Sequence, residues 1–204
     1  MGKGEQTRLT VLMEAADVAS RQGLTALTIG DLATRTRLSK SGLFAHFQSK
    51  EALQLAVLAY ARDKFTDEVI RPATRAPRGE PRVRALFEHW LEVSQHSNAE
   101  CLFVSASAEF DDQPGPVRDQ LVRDHRDCGE SVAQMFRTGI AEGDFRPDAD
   151  ADAEQFAHEL HGIMLGFFHA HRLLGDPRAE ERTRRAFESV LAAYRVPEKA
   201  GPTS

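Results

Sequence analysis

The chain has 204 residues, of which 28% are charged and 41% hydrophobic, with a net charge of −5 and two cysteines, Cys101 and Cys128. That length holds a small domain beside a larger one with ample core. The cysteine count excludes a disulfide scaffold, and no segment approaches the roughly 20 apolar residues of a membrane span. The charge is uneven: residues 1–50 carry seven Lys/Arg against four Asp/Glu, a balance of +3, and the remainder carries −8. A basic end on an acidic body orients the encounter with a polyanion and makes that binding weaken steeply with salt.

In chain order, the first expected helix runs near Thr7 to Gln22, with Leu9, Leu12, Ala16 and Ala19 on one side and Gly23 as its C′ residue. Arg8, Glu14 and Asp17 interrupt any apolar run there, so the segment does not read as a leader and the protein is expected to be cytoplasmic. From Thr28 to Lys50 three helix starts follow within twenty-three residues. Thr28 is a hydroxyl cap with Asp31 placed to reach back, and Ser39 and Ser49 cap the next two. Leu27 with Leu32, and Leu38 with Leu43, have the spacing of hydrophobic staples around the first two caps. Ile29, Leu32 and Ala33 share one face, as do Leu43 and Phe47, so two short helices bury a stripe against each other. Only Arg35, Thr36 and Arg37 are left to turn the chain, which predicts a helix-turn-helix with its second helix in a major groove.

That second helix presents Lys40, Ser41, Gly42, Phe44 and His46 outward, a set able to meet phosphates and base edges. Gly42 stands at the position where a capping box would place an acid, so the positive dipole end at Ser39 stays open to a phosphate. Lys50 adds a cation at the next helix start.

The run Leu38-Ser39-Lys40-Ser41-Gly42-Leu43-Phe44-Ala45-His46-Phe47-Gln48-Ser49-Lys50-Glu51-Ala52-Leu53, with Thr28-Ile29-Gly30-Asp31-Leu32-Ala33 upstream, resembles the N-terminal signature of the tetracycline-repressor (TetR/AcrR) regulators over residues 7 to 60. The resemblance implies an all-α homodimer that sets its third helices in successive major grooves of a palindromic DNA operator. It also implies a larger C-terminal domain whose small-molecule ligand releases the DNA. By position, Lys40, Ser41, Gly42, Phe44 and His46 match recognition-helix contacts, and Thr28 and Lys50 match phosphate clamps. Three positions depart from the pattern: Arg37 replaces the usual turn glycine, Ser41-Gly42 exchanges the order of the small residues, and Phe44 replaces tyrosine. A positive φ at Arg37 would cost roughly a kilocalorie per mole.

A long helix after Ser49 carries Leu53, Ala56, Val57, Tyr60 and Ala61 past Phe65 towards Ile70, until Arg71-Pro72 interrupts it. Further helices are predicted near 82–96, 102–111, 115–141, 150–174 and 177–194, separated by loop chemistry at 111–115, 143–148 and 175–177. The fold expected is all-α with about nine helices: a helix-turn-helix domain at 1–50, a ligand-binding and dimerisation bundle at 51–196, and a disordered tail at 197–204.

The second half concentrates aromatic and sulfur side chains. Phe87, Trp90, Phe103, Phe110, Met135 and Phe167 are the candidates to line a site for an apolar or aromatic effector, against the plainer reading that they fill a core. The stripes Phe156, Leu160, Ile163 and Met164, then Ala186, Phe187, Val190, Leu191 and Tyr194, predict a homodimer through residues 150–194 by a four-helix contact. His158 and His161 share a helix face, but no further Cys/His spacing completes a metal site, so neither metal nor cofactor is assigned. Catalytic residues are not assigned either. The competing functions are a helical metal-dependent hydrolase using His158, His161 and Asp124, and a protein-interaction adaptor whose helix pair meets another protein.

Overall fold

A computed structural model of the chain describes residues 2–96 and 101–197. The described residues form α1 (Lys3–Gln22), α2 (Ile29–Thr36), α3 (Lys40–Phe47), α4 (Lys50–Phe65), a single turn α5 (Arg71–Ala73), α6 (Glu80–His96), α7 (Cys101–Phe110), α8 (Pro116–Glu142), α9 (Ala153–Phe168) and α10 (Ala179–Tyr194). The all-α expectation holds, with one antiparallel bridge between Phe145 and Arg195 as its sole extended pairing among the described residues. Of the expected tail, residues from 198 onward lie outside the described residues.

Helix α1 starts a turn earlier than the apolar pattern predicts, because the Glu5 carboxylate accepts from the Gly2 amide at 2.7 Å and closes a capping box. Beyond Phe65 the chain widens into a π turn at Thr66–Ile70 before α5. The Pro72 ring has no N–H to continue an i→i+4 ladder, which accounts for the change of turn. A second π turn, His169–Leu173, follows α9 and ends before Gly175 in the left-handed region at φ 59°.

The chain divides into two compact units: Met1–Arg71 with Trp90–His125, and Pro72–His89 with Arg126–Ser204. In the first, Val11, Ala15, Leu24, Leu27, Leu32, Leu43, Leu53, Val57 and Leu58 are wholly buried. The staple pairs expected around Thr28 and Ser39 belong to this core, with Leu38 at its edge. In the second unit, the Phe136 ring stacks on Phe145 at 4.7 Å and on Phe156 at 4.5 Å, and meets Tyr194 edge-on at 5.1 Å. Gly139 makes room for this stack, since a Cβ there would stand 2.5 Å from the Phe145 ring.

The stripes predicted to face a second copy sort differently. Phe156, Leu160, Phe187, Leu191 and Tyr194 are buried within the protomer. Helical spacing identifies an apolar face but not its neighbour, and here α9 and α10 cover each other, with the Tyr194 hydroxyl donating to Glu159 at 3.1 Å. What α9 and its following turn leave exposed is Leu165, Leu173 and Leu174, with Gly162 and Gly166 open alongside.

Candidate nucleic-acid interface

The three caps are formed as the sequence predicts. Thr28 Oγ1 accepts from Asp31 N at 3.1 Å, Ser39 Oγ from Gly42 N at 3.0 Å, and Ser49 Oγ from Ala52 N at 3.0 Å. Each oxygen satisfies one of the open amides at a helix start, typically worth about 1 kcal/mol. The Asp31 carboxylate does not reach back to Thr28 as expected; it bonds Arg35 Nε at 2.8 Å, one turn on. Arg35 also reaches Glu14 of α1 at 3.5 Å, whereas among the described residues no carboxylate pairs with Arg37 or Lys40.

Arg37 closes α2 in the left-handed region at φ 57°, ψ 33°. The turn therefore requires there the conformation a glycine adopts freely, and an L side chain carries it at a cost of about 1 kcal/mol. Gln48, at the end of α3, is the second non-glycine residue with positive φ, at 60°. Both ends of the recognition segment are thus held in restricted geometry.

Helix α3 is anchored from inside by Leu43 and Phe47, 0% and 2% exposed, and the Arg8 guanidinium of α1 lies 5.3 Å from the Phe47 ring centroid. That cation–π contact and the buried pair fix which residues look outward. Lys40, Ser41 and Phe44 are exposed, Gly42 and His46 half-buried. Lys40 lies across α2: a Cβ on Gly30 would be 3.4 Å from its Cε. Gly42 sits against its own cap, with Ser39 Oγ 3.1 Å from where a Cβ would stand. Phe44 is 51% exposed, an apolar ring on an otherwise polar surface. Thr28 is exposed but its oxygen is engaged as a cap, and the exposed Lys50 is engaged as well, its Nζ donating to the Thr25 carbonyl at 2.5 Å.

Sequence reasoning missed the residues that hold the connector Leu24–Ala26. Glu109, on α7, accepts from Leu24 N at 2.9 Å, Thr25 N at 2.7 Å and Thr25 Oγ1 at 2.6 Å. The buried Gln54 amide donates to the Leu24 carbonyl at 3.0 Å. A partnership across 85 residues leaves no local signal. Asp124, named with His158 and His161 in the competing hydrolase reading, is 7% exposed on α8; its Oδ1 accepts from Gln120 Nε2 at 2.8 Å and Arg62 at 3.4 Å while Oδ2 has no partner among the described residues. Beside it, burial pushes the His125 imidazole below its ordinary pKa, an effect opposed by the Asp124 carboxylate and the Phe103 backbone. The Ser107 hydroxyl donates to the Phe103 carbonyl at 2.7 Å and shares a hydrogen bond with His125 Nε2 at 2.8 Å.

The effector candidates fall in both units. Trp90, Phe103 and Phe110 belong to the first, where Trp90 is 2% and Phe110 7% exposed and the Phe103 ring meets His125 edge-on at 6.1 Å. Phe87, Met135 and Phe167 belong to the second, where Phe87 stacks on Phe187 at 3.9 Å and Phe167 on His171 at 5.0 Å. Among the described residues, no group of three or more His, Cys, Asp or Glu side chains gathers as a metal site would require.

Two short capped helices joined by a left-handed turn, the second buried on one side and polar on the other, define a helix-turn-helix DNA-binding protein. The bacterial regulatory proteins of the tetR family match residues 11–57, and the tetracyclin repressor-like C-terminal domain matches residues 79–187. The chain belongs to the TetR family, a family of transcription regulators rather than enzymes. It is 26% identical over 143 residues to the HTH-type transcriptional repressor KstR2 of Mycolicibacterium smegmatis, covering 70% of this chain and 69% of that one. Its fold is shared with a TetR regulator from Chloroflexus aurantiacus (TM-score 0.83, 24% identity, 97% and 100% of the two chains). It is shared too with AibR solved with isovaleryl coenzyme A and operator DNA (TM-score 0.70, 20% identity, 94% and 99%). No helix among the described residues is long and apolar enough to cross a membrane.

Proposed function

We propose that this regulator is a cytoplasmic, non-catalytic repressor that binds a palindromic operator as a homodimer and is released by a small apolar or aromatic ligand. The observation that carries the DNA-binding part is α3 itself: a helix start capped by Ser39 without a local acid, with Lys40, Ser41 and Phe44 exposed over a buried Leu43 and Phe47. Phosphates meet the α3 start and Lys40, while Ser41, Phe44 and His46 reach base edges, with Gly42 permitting close approach of the backbone. Thr28 contributes its exposed position at the α2 start. Lys50 serves the head through Thr25 in the DNA-free chain, and a phosphate competes with that carbonyl for its ammonium.

Release by a ligand is supported by the relatives: one solved structure of the same fold, AibR, holds both isovaleryl coenzyme A and operator DNA, and another is the ketosteroid transcriptional regulator KstR2 of Mycobacterium tuberculosis. The effector contacts are drawn from Trp90, Phe103 and Phe110 in the first unit and Phe87, Met135 and Phe167 in the second. The exposed face of residues 150–194, with Leu165, Gly162 and Gly166, supports the contact with a second copy. Fluorescence anisotropy with the duplex upstream of the chain's own gene tests the reading. Specific binding that weakens with salt is expected, and Lys40→Ala lowers affinity for all sequences and the salt slope by about 1. Equal affinity for a scrambled duplex would remove the repressor reading.

A further inference from the structure

The connector between α1 and α2 runs Gly23–Thr28, and its 3-10 turn, Leu24–Ala26, closes two backbone bonds of its own, Ala26 N to the Gly23 carbonyl at 3.3 Å and Leu27 N to the Leu24 carbonyl at 3.4 Å, leaving the amides of Leu24 and Thr25 to find partners elsewhere. Its polar groups are divided between two helices outside the helix-turn-helix pair. The amides of Leu24 and Thr25, with the Thr25 hydroxyl, all point to one carboxylate, Glu109 near the end of α7. The carbonyls of the same two residues accept from α4, Leu24 from the buried Gln54 and Thr25 from Lys50. Gly23 makes the approach possible: at φ 93° it turns the chain, and a Cβ there would stand 2.6 Å from Glu109 Oε1. All of these residues lie in the first unit.

We propose that Glu109 is a positioning residue for DNA binding, a carboxylate that fixes the α1–α2 connector and so sets where α2, and α3 behind it, present themselves to the operator. The inference rests on the DNA-binding reading above. A carboxylate accepting three bonds is strong, because each is charge-assisted, and its removal leaves two backbone amides to find water instead. Leu27 closes the 3-10 turn one residue before the Thr28 cap, so a displacement of that turn shifts the start of α2 directly. Thr25 is the point where both helices hold one residue, α7 through its donors and α4 through its carbonyl. Glu109 thereby links α2 and α3 to α7, a helix outside the helix-turn-helix pair.

The test measures anisotropy of a labelled duplex from upstream of the chain's own gene, against a scrambled duplex, for wild type, Glu109→Ala, Glu109→Gln, Thr25→Val and Thr25→Ser. Glu109→Ala weakens operator binding about tenfold, the equivalent of one lost charge-assisted bond carried into affinity. Glu109→Gln keeps the shape but replaces one acceptor oxygen with a donor facing an amide, and it weakens binding several-fold with little change in melting temperature. Thr25→Val is intermediate and Thr25→Ser retains wild-type affinity. Hydrogen exchange of the Leu24 and Thr25 amides quickens in both Glu109 variants while the amides of α1 stay protected. A carboxylate with a merely structural role would lower the melting temperature and leave affinity unchanged. Wild-type affinity in both Glu109 variants, or unchanged exchange at Leu24 and Thr25, overturns the proposal alone. A wild-type chain that does not distinguish the two duplexes overturns the DNA-binding reading and this role with it.

Discussion

Two places in this molecule use the same device, a positive-φ glycine with a distant carboxylate drawn onto the amides that follow it. At the reading head Gly23, φ 93°, precedes Leu24 and Thr25 under Glu109. In the second unit Gly79, φ 90°, precedes Glu80, whose amide donates to Asp144 Oδ2 at 2.8 Å. The second clamp stands against a thick support. Asp144 belongs to the segment whose carbonyl accepts from Val196 N at 3.2 Å, next to Phe145 in the aromatic stack. Glu80 is further held by Arg84 at 2.7 Å and Arg195 at 2.5 Å, and these guanidinium groups keep its carboxyl below the usual carboxylate range. The first clamp has Thr25 exposed and holds a connector between short helices. The same chemistry therefore serves stability in one unit and placement in the other, and what surrounds the carboxylate decides which.

That contrast can be broken at several points. Phe136→Ala removes the ring at the centre of the second unit and is expected to destabilise by about 3–5 kcal/mol in denaturant unfolding, with operator affinity of the folded chain preserved. A loss of affinity without a loss of stability would erase the distinction between the units. Gly79→Ala forces a Cβ to within 1.9 Å of Asp144 Oδ2 at a strained φ, and should lower stability by about 1–3 kcal/mol. Its operator affinity should stay at the wild-type level, which is the opposite pattern from the Glu109 variants.

Arg37→Gly should raise stability by about 1 kcal/mol, because glycine takes φ 57° without strain, and a thermal melt reads the gain. If the melt is unchanged or lower, the arginine side chain must contribute more than its backbone costs. The smallest effect is in pH. Burial holds His125 below its ordinary value near 6.5, so between the folded value and 6.5 the unfolded chain binds more protons. Stability from this group is complete above about 6.5 and is lost as pH falls through the folded value. Melting temperature therefore drops on acidification below pH 6.5, and His125→Gln flattens that slope; an equal slope in the variant would assign the drop to other groups.

The reading head was legible in the sequence because its determinants are local. Thr28, Ser39 and Ser49 cap amides three residues away, and staples span five positions, so a single pass along the chain finds them. Arg37 was legible for a different reason: it stands where the resembled family has a turn glycine, which points to a left-handed backbone. The fate of Lys50 was not legible, since its carbonyl partner comes from the α1–α2 connector, and neither was Glu109, eighty-five positions from the amide it binds. The α9 and α10 stripes show the same limit. Their period gave the helices correctly, yet Phe156 and Tyr194 pack within the protomer while Leu165 remains exposed, because amphipathic spacing carries no address for the partner. Phe145 carries no local signal, being a lone aromatic between a Gly-Asp turn and Arg146; the stack on Phe136 and the gap at Gly139 show where it goes.

Trp90 is the chain's only tryptophan and is 2% exposed in the first unit, on the stretch of α6 that shares that unit with the reading head and Glu109. The protein thus carries a spectroscopic label at a fixed address. Its indole emission, excited apart from the two tyrosines, reports the solvation of its buried site on α6, so the response of that site to DNA, acid or a small molecule can be followed in the unmodified chain.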